Sequence, residues 1–213
     1  GSLSKNKNLK WIKENLSDIS TFANNISPAL WKEALKESTI LEENANKTLE
    51  KIKYPLGGGA AYPLLYFLTR YLRPESVLET GVAAGFSSYA ILSALQKNGK
   101  GKLYSSDFPY FRIKDPEKYI GIVVEKKLKN NWHLFVKGDE NNLPMIFKQV
   151  KQIDIFSYDS DKTYSGKSKT FKKVFNYLTE NSVIILDDIQ DDSFFYDFIN
   201  KNNILNWKLF EFQ

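Results

Sequence analysis

The chain has 213 residues, of which 42% are hydrophobic and 26% are charged, and its formal net charge is +5. This length and composition predict one folded domain with a sizeable core and a short appended segment. The chain contains no cysteine and a single histidine, His133. Disulfides, thiolate-bound zinc, cysteine nucleophiles and histidine-rich metal sites are therefore excluded.

The positive charge raises the question of a nucleic-acid partner, and the kind of basic residue argues against one. The planar guanidinium group of arginine is well suited to bind bases and phosphates. The chain has only three arginines, Arg70, Arg73 and Arg112, and its other positively charged residues are lysines. Apolar runs are too short to cross a membrane, and no secretion signal follows Gly1-Ser2. We expect a cytoplasmic protein whose partner is a small molecule.

Residues 3–53 carry apolar positions at helical spacing, which predicts two or more helices with a start signal at Ser27-Pro28. A turn with three glycines interrupts this region at residues 54–59, and a helical pattern resumes over Ala60–Leu72. We place a boundary there, between a helical extension (1–56) and an α/β domain (57–213).

The amphipathic stripe of the extension needs a surface to bury it. We therefore expect the extension to serve as a lid or as the contact of a homodimer. Trp11 and Trp31 are the expected anchors.

From Ser76 onward, short apolar runs alternate with helical segments, a pattern typical of βα units and a parallel sheet. The predicted class is α/β, with a doubly wound, mostly parallel sheet. The predicted strands are Ser76–Glu79, Lys102–Ser106, Trp132–Val136, Asp154–Tyr158, Ser182–Leu186 and Trp207–Phe212.

Each of the first five predicted strands ends on or just before an acidic residue or a glycine. In open α/β sheets the ligand site lies outside the carboxyl ends of the strands, where loops gather polar groups. The five endings are Glu79-Thr80-Gly81, Asp107, Gly138-Asp139, Asp159 and Asp187-Asp188.

The first ending combines a glycine turn with a helix start, which suits close approach of a ligand to backbone N–H groups. Its spacing, E-x-G-x-x-x-G from Glu79 to Gly85, fits neither the dinucleotide fingerprint nor the P-loop. Asp107 follows about twenty residues later, where nucleoside-binding α/β proteins place an acid on the ribose hydroxyls. An acid that only caps a loop is an equally common alternative.

Taken in order, these motifs resemble those of class I S-adenosylmethionine-dependent methyltransferases, over about residues 57–199. The chain is most similar to a small bacterial branch with D-S-D-H-T-Y and D-D at the fourth and fifth strand ends. The resemblance implies a Rossmann-like fold, S-adenosylmethionine as cofactor, and a strand order of 3-2-1-4-5-7-6. It places the methionine end of the cofactor on the Glu79–Ser87 turn, the ribose on Asp107 and the adenine beside Gly138 and Asp139. The implied cofactor-binding residues are Glu79, Gly81, Ala83, Gly85, Ser87, Asp107, Gly138 and Asp139.

The chain departs from that branch in two places. Lys162 stands where the branch usually has histidine, so the role of that histidine does not carry over. The family also closes its sheet with a seventh, antiparallel strand, whereas this chain ends just after its sixth predicted strand.

Asp159, Asp187 and Asp188 follow neighbouring strands in that order, so they are expected to converge at one rim of the sheet. Three carboxylates repel one another unless one is protonated or a hard cation such as Mg²⁺ lies between them. Catechol-type metal-dependent O-methyltransferases carry a D-x-x-K run similar to Asp159–Lys162. We name these three acids as candidate metal ligands, and loop capping without a metal is the alternative.

The predicted activity is methyl transfer to an oxygen of a small molecule or sugar. Asp159 and Lys162 are the catalytic candidates, with Lys162 acting either as a base or as a charge partner of the acids. Two alternatives are a non-catalytic nucleoside-binding protein of the same fold and a haloacid-dehalogenase-like phosphatase. The phosphatase would use the D-x-D-x-T run that starts at Asp159, but Asp187-Asp188 follows too soon for that fold.

Three further features are interpreted as structural. The aromatic cluster Phe194–Phe198 is expected to pack in the core, and His133 to be an ordinary strand residue. The lysines of the segment after Asp159 are expected to form a solvated helix face: Lys167, Lys169, Lys172 and Lys173.

Overall fold

A computed structural model describes residues 3–57, 59, 61–111 and 113–212 of the chain. Within these residues, five parallel strands form one sheet in the order β3-β2-β1-β4-β5, which confirms the α/β class and the order expected for the first five strands. The strands are β1 Ser76–Thr80, β2 Lys102–Ser106, β3 Trp132–Phe135, β4 Ile153–Tyr158 and β5 Leu178–Leu186.

In the part of the chain that the structure describes, eight α-helices connect and cover the strands. They are α1 Lys5–Asn15, α2 Ile19–Ile26, α3 Pro28–Leu49, α4 Tyr62–Leu72, α5 Phe86–Asn98, α6 Asp139–Phe147, α7 Tyr164–Val174 and α8 Phe194–Lys201. The helix α3 begins at the predicted signal, with the Ser27 hydroxyl accepting a hydrogen bond from the Leu30 N–H. Among the described residues, no helix is long and apolar enough to cross a membrane.

The central strands are buried on both faces, because successive residues of a strand point to opposite sides of the sheet. Val77 of β1 joins the core beneath α3, α4 and α5, whereas its neighbour Leu78 joins the core formed with α6 and α7. The sheet is therefore doubly wound. Two members of the aromatic cluster join the second core as predicted: Phe194 is buried against Phe171 at a ring-centroid distance of 4.9 Å, and Phe198 packs beside it. Phe195 and Tyr196 instead pack on Trp11 of α1.

The N-terminal helices bury their apolar stripe within the same chain. Trp31 is buried against Phe67, with a ring-centroid distance of 5.8 Å. Trp11 packs against Tyr196 and Trp207 at centroid distances of 5.1 and 5.3 Å. The predicted anchors thus fix the extension to the α/β layers, and its role as a dimer contact or lid stays a prediction.

The prediction of a sixth strand at Trp207–Phe212 is wrong. This segment makes one isolated bridge, Leu209 with Leu16, in which the Ser17 N–H donates to the Leu209 carbonyl at 2.8 Å. Its aromatic side chains pack on the N-terminal helices instead, as the contact of Phe210 with Phe22 illustrates. In the described part of the chain, no strand follows β5.

The prediction that Lys167 lies on a solvated face is also wrong, although Lys169, Lys172 and Lys173 are exposed as expected. Lys167 is 1% exposed, and its ammonium donates to the Asp188 carbonyl at 3.0 Å and to the Asp192 carboxylate at 3.3 Å. From the other side, the Asn8 side chain of α1 donates to the Asp192 carbonyl at 2.7 Å. Two helices therefore hold the loop that follows β5.

Candidate functional site

A cavity of about 740 Å³ opens at the carboxyl ends of β1, β2, β3 and β4. Its walls come from the loops that follow these strands, together with Gly57 and Gly59 of the turn before α4. The backbone keeps the strand ends together, since the Asp159 N–H donates to the Thr80 carbonyl at 2.8 Å and the Asp187 N–H to the Tyr158 carbonyl at 3.0 Å. The polar residues predicted at successive strand ends therefore surround one space.

The glycine turn after β1 forms the floor of the cavity. Gly81 has φ +86°, and a Cβ placed on it would lie 1.9 Å from the Asp159 carbonyl oxygen, so no other residue fits there. Ala83 also takes a positive φ, +48°, and lines the cavity with Ser87. Gly85 does not line the cavity and lies against the backbone of Gly121.

Glu79 lies beneath this turn and is 1% exposed. Its carboxylate accepts hydrogen bonds from the hydroxyls of Ser87, Ser88 and Ser105 at 2.5, 2.6 and 2.7 Å. Burial raises the pKa of Glu79, and these three donors oppose that rise. Glu79 does not line the cavity, and it meets the cavity wall through Ser87.

Asp107 joins the second strand end to the glycine turn. One carboxylate oxygen accepts from the N–H groups of Val82 and Ala83 at 2.9 and 2.7 Å, and the other accepts from the Phe108 N–H at 2.6 Å. These bonds fix the position of the carboxylate in the cavity wall. Each carboxylate oxygen can accept about two hydrogen bonds, so the one bonded only to Phe108 can still accept from a ligand.

Asp139, in the first turn of α6, links the ends of β2 and β4. Its carboxylate oxygens accept from the hydroxyls of Ser106 at 2.5 Å and Ser160 at 2.7 Å. Burial raises the pKa of Asp139 against these two donors. Gly138, just before it, lines the cavity beside the Phe108 ring.

Asp159 is the acid of the cavity with the most perturbed surroundings. Burial, together with the nearby charges of Asp187 and Asp188, raises the pKa of Asp159 to about 7, while Lys162 lowers it. Among the described residues, no side chain or backbone N–H donates a hydrogen bond to its carboxylate. A carboxyl group near half ionisation at neutral pH, free to accept a proton, is suited to general base chemistry.

Lys162 pairs with the acid of the neighbouring strand end. Its ammonium lies 2.5 Å from the Asp188 carboxylate, and this hydrogen bond raises the pKa of Lys162. Lys162 in turn lowers the pKa of Asp188 against the effect of burial. Lys162 is therefore held in its charged form. A charged lysine fits the predicted role of charge partner of the acids and does not fit the role of base.

The three predicted metal ligands come together without forming a ligand set. Asp188 is already bonded to Lys162 and, at 3.0 Å, to the amide of Gln190, while an Asp187 carboxylate oxygen accepts from the Asp188 N–H at 2.7 Å. No group of three or more acidic or histidine residues in the described ranges is arranged to hold a metal ion. The described residues therefore give the predicted metal site no support, and no reaction step is built on a metal.

An aromatic wall, Phe108, Tyr110 and Phe111, lines the cavity after Asp107 and was not among the predicted site residues. The rings of Phe108 and Phe111 stack at 5.2 Å and are 53% and 79% exposed. The sequence carries a signal for this wall, since a Phe-Pro-Tyr-Phe run directly follows the acid at a strand end. Apolar residues left exposed beside a polar cavity indicate a binding surface.

A doubly wound sheet with this glycine turn and these acids around one cavity is the architecture of a Rossmann-like methyltransferase. A methyltransferase domain family matches residues 78–189, which is more than half of the chain. The chain belongs to this family. Membership sets the phosphatase alternative aside. The chain has no match among curated proteins.

Solved structures of methyltransferases share the fold. The chain is similar to an SAH-bound methyltransferase of Podospora anserina, with a TM-score of 0.52 and 16% identity over 82% of this chain and 72% of that one. It is also similar to the O-methyltransferase TomG of Streptomyces achromogenes, which is involved in tomaymycin synthesis and was solved in complex with SAM. That match has a TM-score of 0.54 and 19% identity over 68% of this chain and 63% of that one. At these identities the likeness shows the fold.

Proposed function

We propose that the protein transfers a methyl group from S-adenosylmethionine to an oxygen atom of a small molecule. The observation that carries this proposal is the cavity at the carboxyl edge of the sheet, which joins a glycine turn, a positioned carboxylate and an acid with a raised pKa. Its volume lies within the range of about 300–1,000 Å³ typical of ligand sites. The cofactors named in the solved relatives are consistent with this choice.

The residues present fit the cofactor. Gly81 and Ala83 line the cavity floor, where a side chain at Gly81 would fill space beside the backbone of Asp159, just after β4. Asp107 offers an acceptor oxygen for the ribose hydroxyls, and Gly138 leaves room for the flat adenine beside the aromatic wall. Glu79 and Gly85 hold these loops from behind, through Ser87 and Gly121 respectively. Asp139 lines the cavity beside Gly138 and accepts a hydrogen bond from Ser160.

Asp159 is the proposed base. When bound, S-adenosylmethionine supplies an electrophilic methyl group. With the cofactor bound, Asp159 would take the proton of the acceptor hydroxyl as its oxygen receives the methyl group, and the products would be the methyl ether and S-adenosylhomocysteine. Lys162, held in place by Asp188, keeps a positive charge near Asp159, which limits the rise of the pKa of Asp159 and preserves an ionised fraction at neutral pH.

Loss of the Asp107 carboxylate tests the cofactor site. We expect Asp107→Ala to weaken the binding of S-adenosylhomocysteine by about 1–3 kcal/mol, because the ribose hydroxyls lose a charged acceptor and the N–H groups of Val82 and Ala83 lose theirs. Isothermal titration calorimetry measures the change. Asp115→Ala, on an exposed acid of the next loop, is the control and should bind like the parent protein. Equal affinity of the Asp107 variant and the parent would remove Asp107 from the site.

A further inference from the structure

The Tyr110 hydroxyl is the one buried side-chain polar atom, among those the structure describes, that has no hydrogen-bond partner. Folded proteins satisfy nearly all such groups, because a buried hydroxyl that has lost its water destabilises the fold. Packing alone does not explain the phenol, since phenylalanine serves at the neighbouring positions 108 and 111 of the same wall. The hydroxyl therefore requires a functional explanation.

Two surroundings of Tyr110 indicate what it could bind. Its side chain lines the 740 Å³ cavity, and so does Asp107. Burial raises the pKa of Tyr110 to about 12, with a further contribution from the Asp107 charge, so the phenol is neutral at pH 7 and can donate its proton. Asp107, by contrast, is a carboxylate that can only accept.

A ligand hydroxyl satisfies both groups at once. It donates its own proton to Asp107 and accepts the proton of the phenol, whereas a ligand N–H group cannot accept and a carbonyl cannot donate. We propose that Tyr110 is a specificity-determining residue of the cofactor site, hydrogen-bonded to a ribose hydroxyl that Asp107 also binds. This inference rests on the proposed function, and it adds a contact that selects ribose over deoxyribose ligands.

The contact needs a small movement of the aromatic wall, because the Tyr110 oxygen is closed off from solvent in the structure. The residues on either side can allow it. Phe108 and Phe111 are largely exposed and stack on each other, so little buried packing at these two rings opposes a shift of residues 108–111. After this movement, the Tyr110 hydroxyl gains a hydrogen bond to the ligand.

Tyr110→Phe removes the hydroxyl and keeps the ring. We expect the variant to bind S-adenosylhomocysteine five- to tenfold more weakly than the parent, while its melting temperature without ligand is equal or higher. Calorimetry and thermal unfolding measure the two effects. Tyr71→Phe, at an exposed position on α4, is the matched control and should leave both unchanged.

Adenosine and its 2′-deoxy and 3′-deoxy analogues locate the contact. The penalty of Tyr110→Phe should persist with adenosine and with one deoxy analogue, and disappear with the analogue that lacks the bonded hydroxyl. Unchanged affinity of the variant for S-adenosylhomocysteine, or a lower melting temperature without ligand, would overturn the inference. Failure of the parent protein to bind S-adenosylhomocysteine would instead overturn the proposed function, so the two failures are distinguishable.

Discussion

Asp159→Asn is expected to lower the rate of methyl transfer by about 10²–10⁴-fold, the usual contribution of a general base. The substitution keeps the shape of the side chain and removes its ability to take the acceptor proton. Affinity for S-adenosylhomocysteine should stay within about twofold of the parent, because no proposed cofactor contact is lost. The rate is measured as S-adenosylhomocysteine release, with a panel of sugars, catechols and other hydroxyl compounds as acceptors.

The pH dependence of the parent protein follows from the same carboxyl group. A base acts in its ionised form, so the rate should fall as the pH is lowered through the pKa of Asp159, which is about 7. Lys162→Gln removes a charge that lowers this pKa, so the pH profile should move to higher pH. If Lys162 were itself the base, its removal would abolish the reaction at every pH.

The stability of the protein should show the opposite pH trend. The pKa of Asp159 is higher in the folded chain than its usual 3.8, so the folded state binds more protons between pH 3.8 and about 7. The free energy of unfolding should therefore decrease as the pH rises through this window, and Asp159→Asn should reduce that slope.

Asp191→Asn, at an exposed acid of the neighbouring loop, is the control for Asp159→Asn and should keep the parent rate. Full activity of the Asp159 variant would exclude Asp159 as the base. Binding of S-adenosylhomocysteine without turnover on any acceptor would favour the non-catalytic nucleoside-binding alternative.

Gly81→Ala should destabilise the fold by about 3–5 kcal/mol, from a strained φ and from overpacking against a strand end. The added Cβ would lie 1.9 Å from the Asp159 carbonyl oxygen, a backbone atom that no side-chain rotation can move away. Chemical denaturation in urea measures the loss.

Gly99→Ala separates the two causes. Gly99 also has a positive φ, +70°, but a Cβ there meets no heavy atom within 4 Å. This control should lose only about 1 kcal/mol, the penalty of the strained backbone. Equal losses in the two variants would show that the close approach of the β1 turn to β4 contributes nothing.

The strand ends could be predicted from the sequence because the signal is local. A short apolar run followed by Asp107 or Asp159 places an acid at the edge of a parallel sheet, whatever the rest of the chain does. The same reasoning failed at Trp207–Phe212, since an alternating aromatic segment suits a strand and a helix-packing segment equally well. Its partners, α1 and α2, lie almost 200 residues earlier in the chain.

Of two further features, the sequence carries a signal for one and not for the other. The burial of Lys167 could have been predicted from the sequence. Lys167 shares a helical face with three buried residues at spacings of three, four and seven: Thr170, Phe171 and Val174. The surroundings of the Tyr110 hydroxyl could not be predicted from the sequence, because they depend on how the loop after β2 folds beside the cavity. Local patterns therefore predict which groups reach the site, and tertiary contacts decide their charge and partners.

Calorimetric titration with S-adenosylhomocysteine tests the central claim most directly. We predict saturable binding of one molecule per chain, competition by S-adenosylmethionine, and no heat with NAD, whose diphosphate fingerprint the Glu79–Gly85 turn lacks. Tight binding of NAD with no response to S-adenosylhomocysteine would contradict the account.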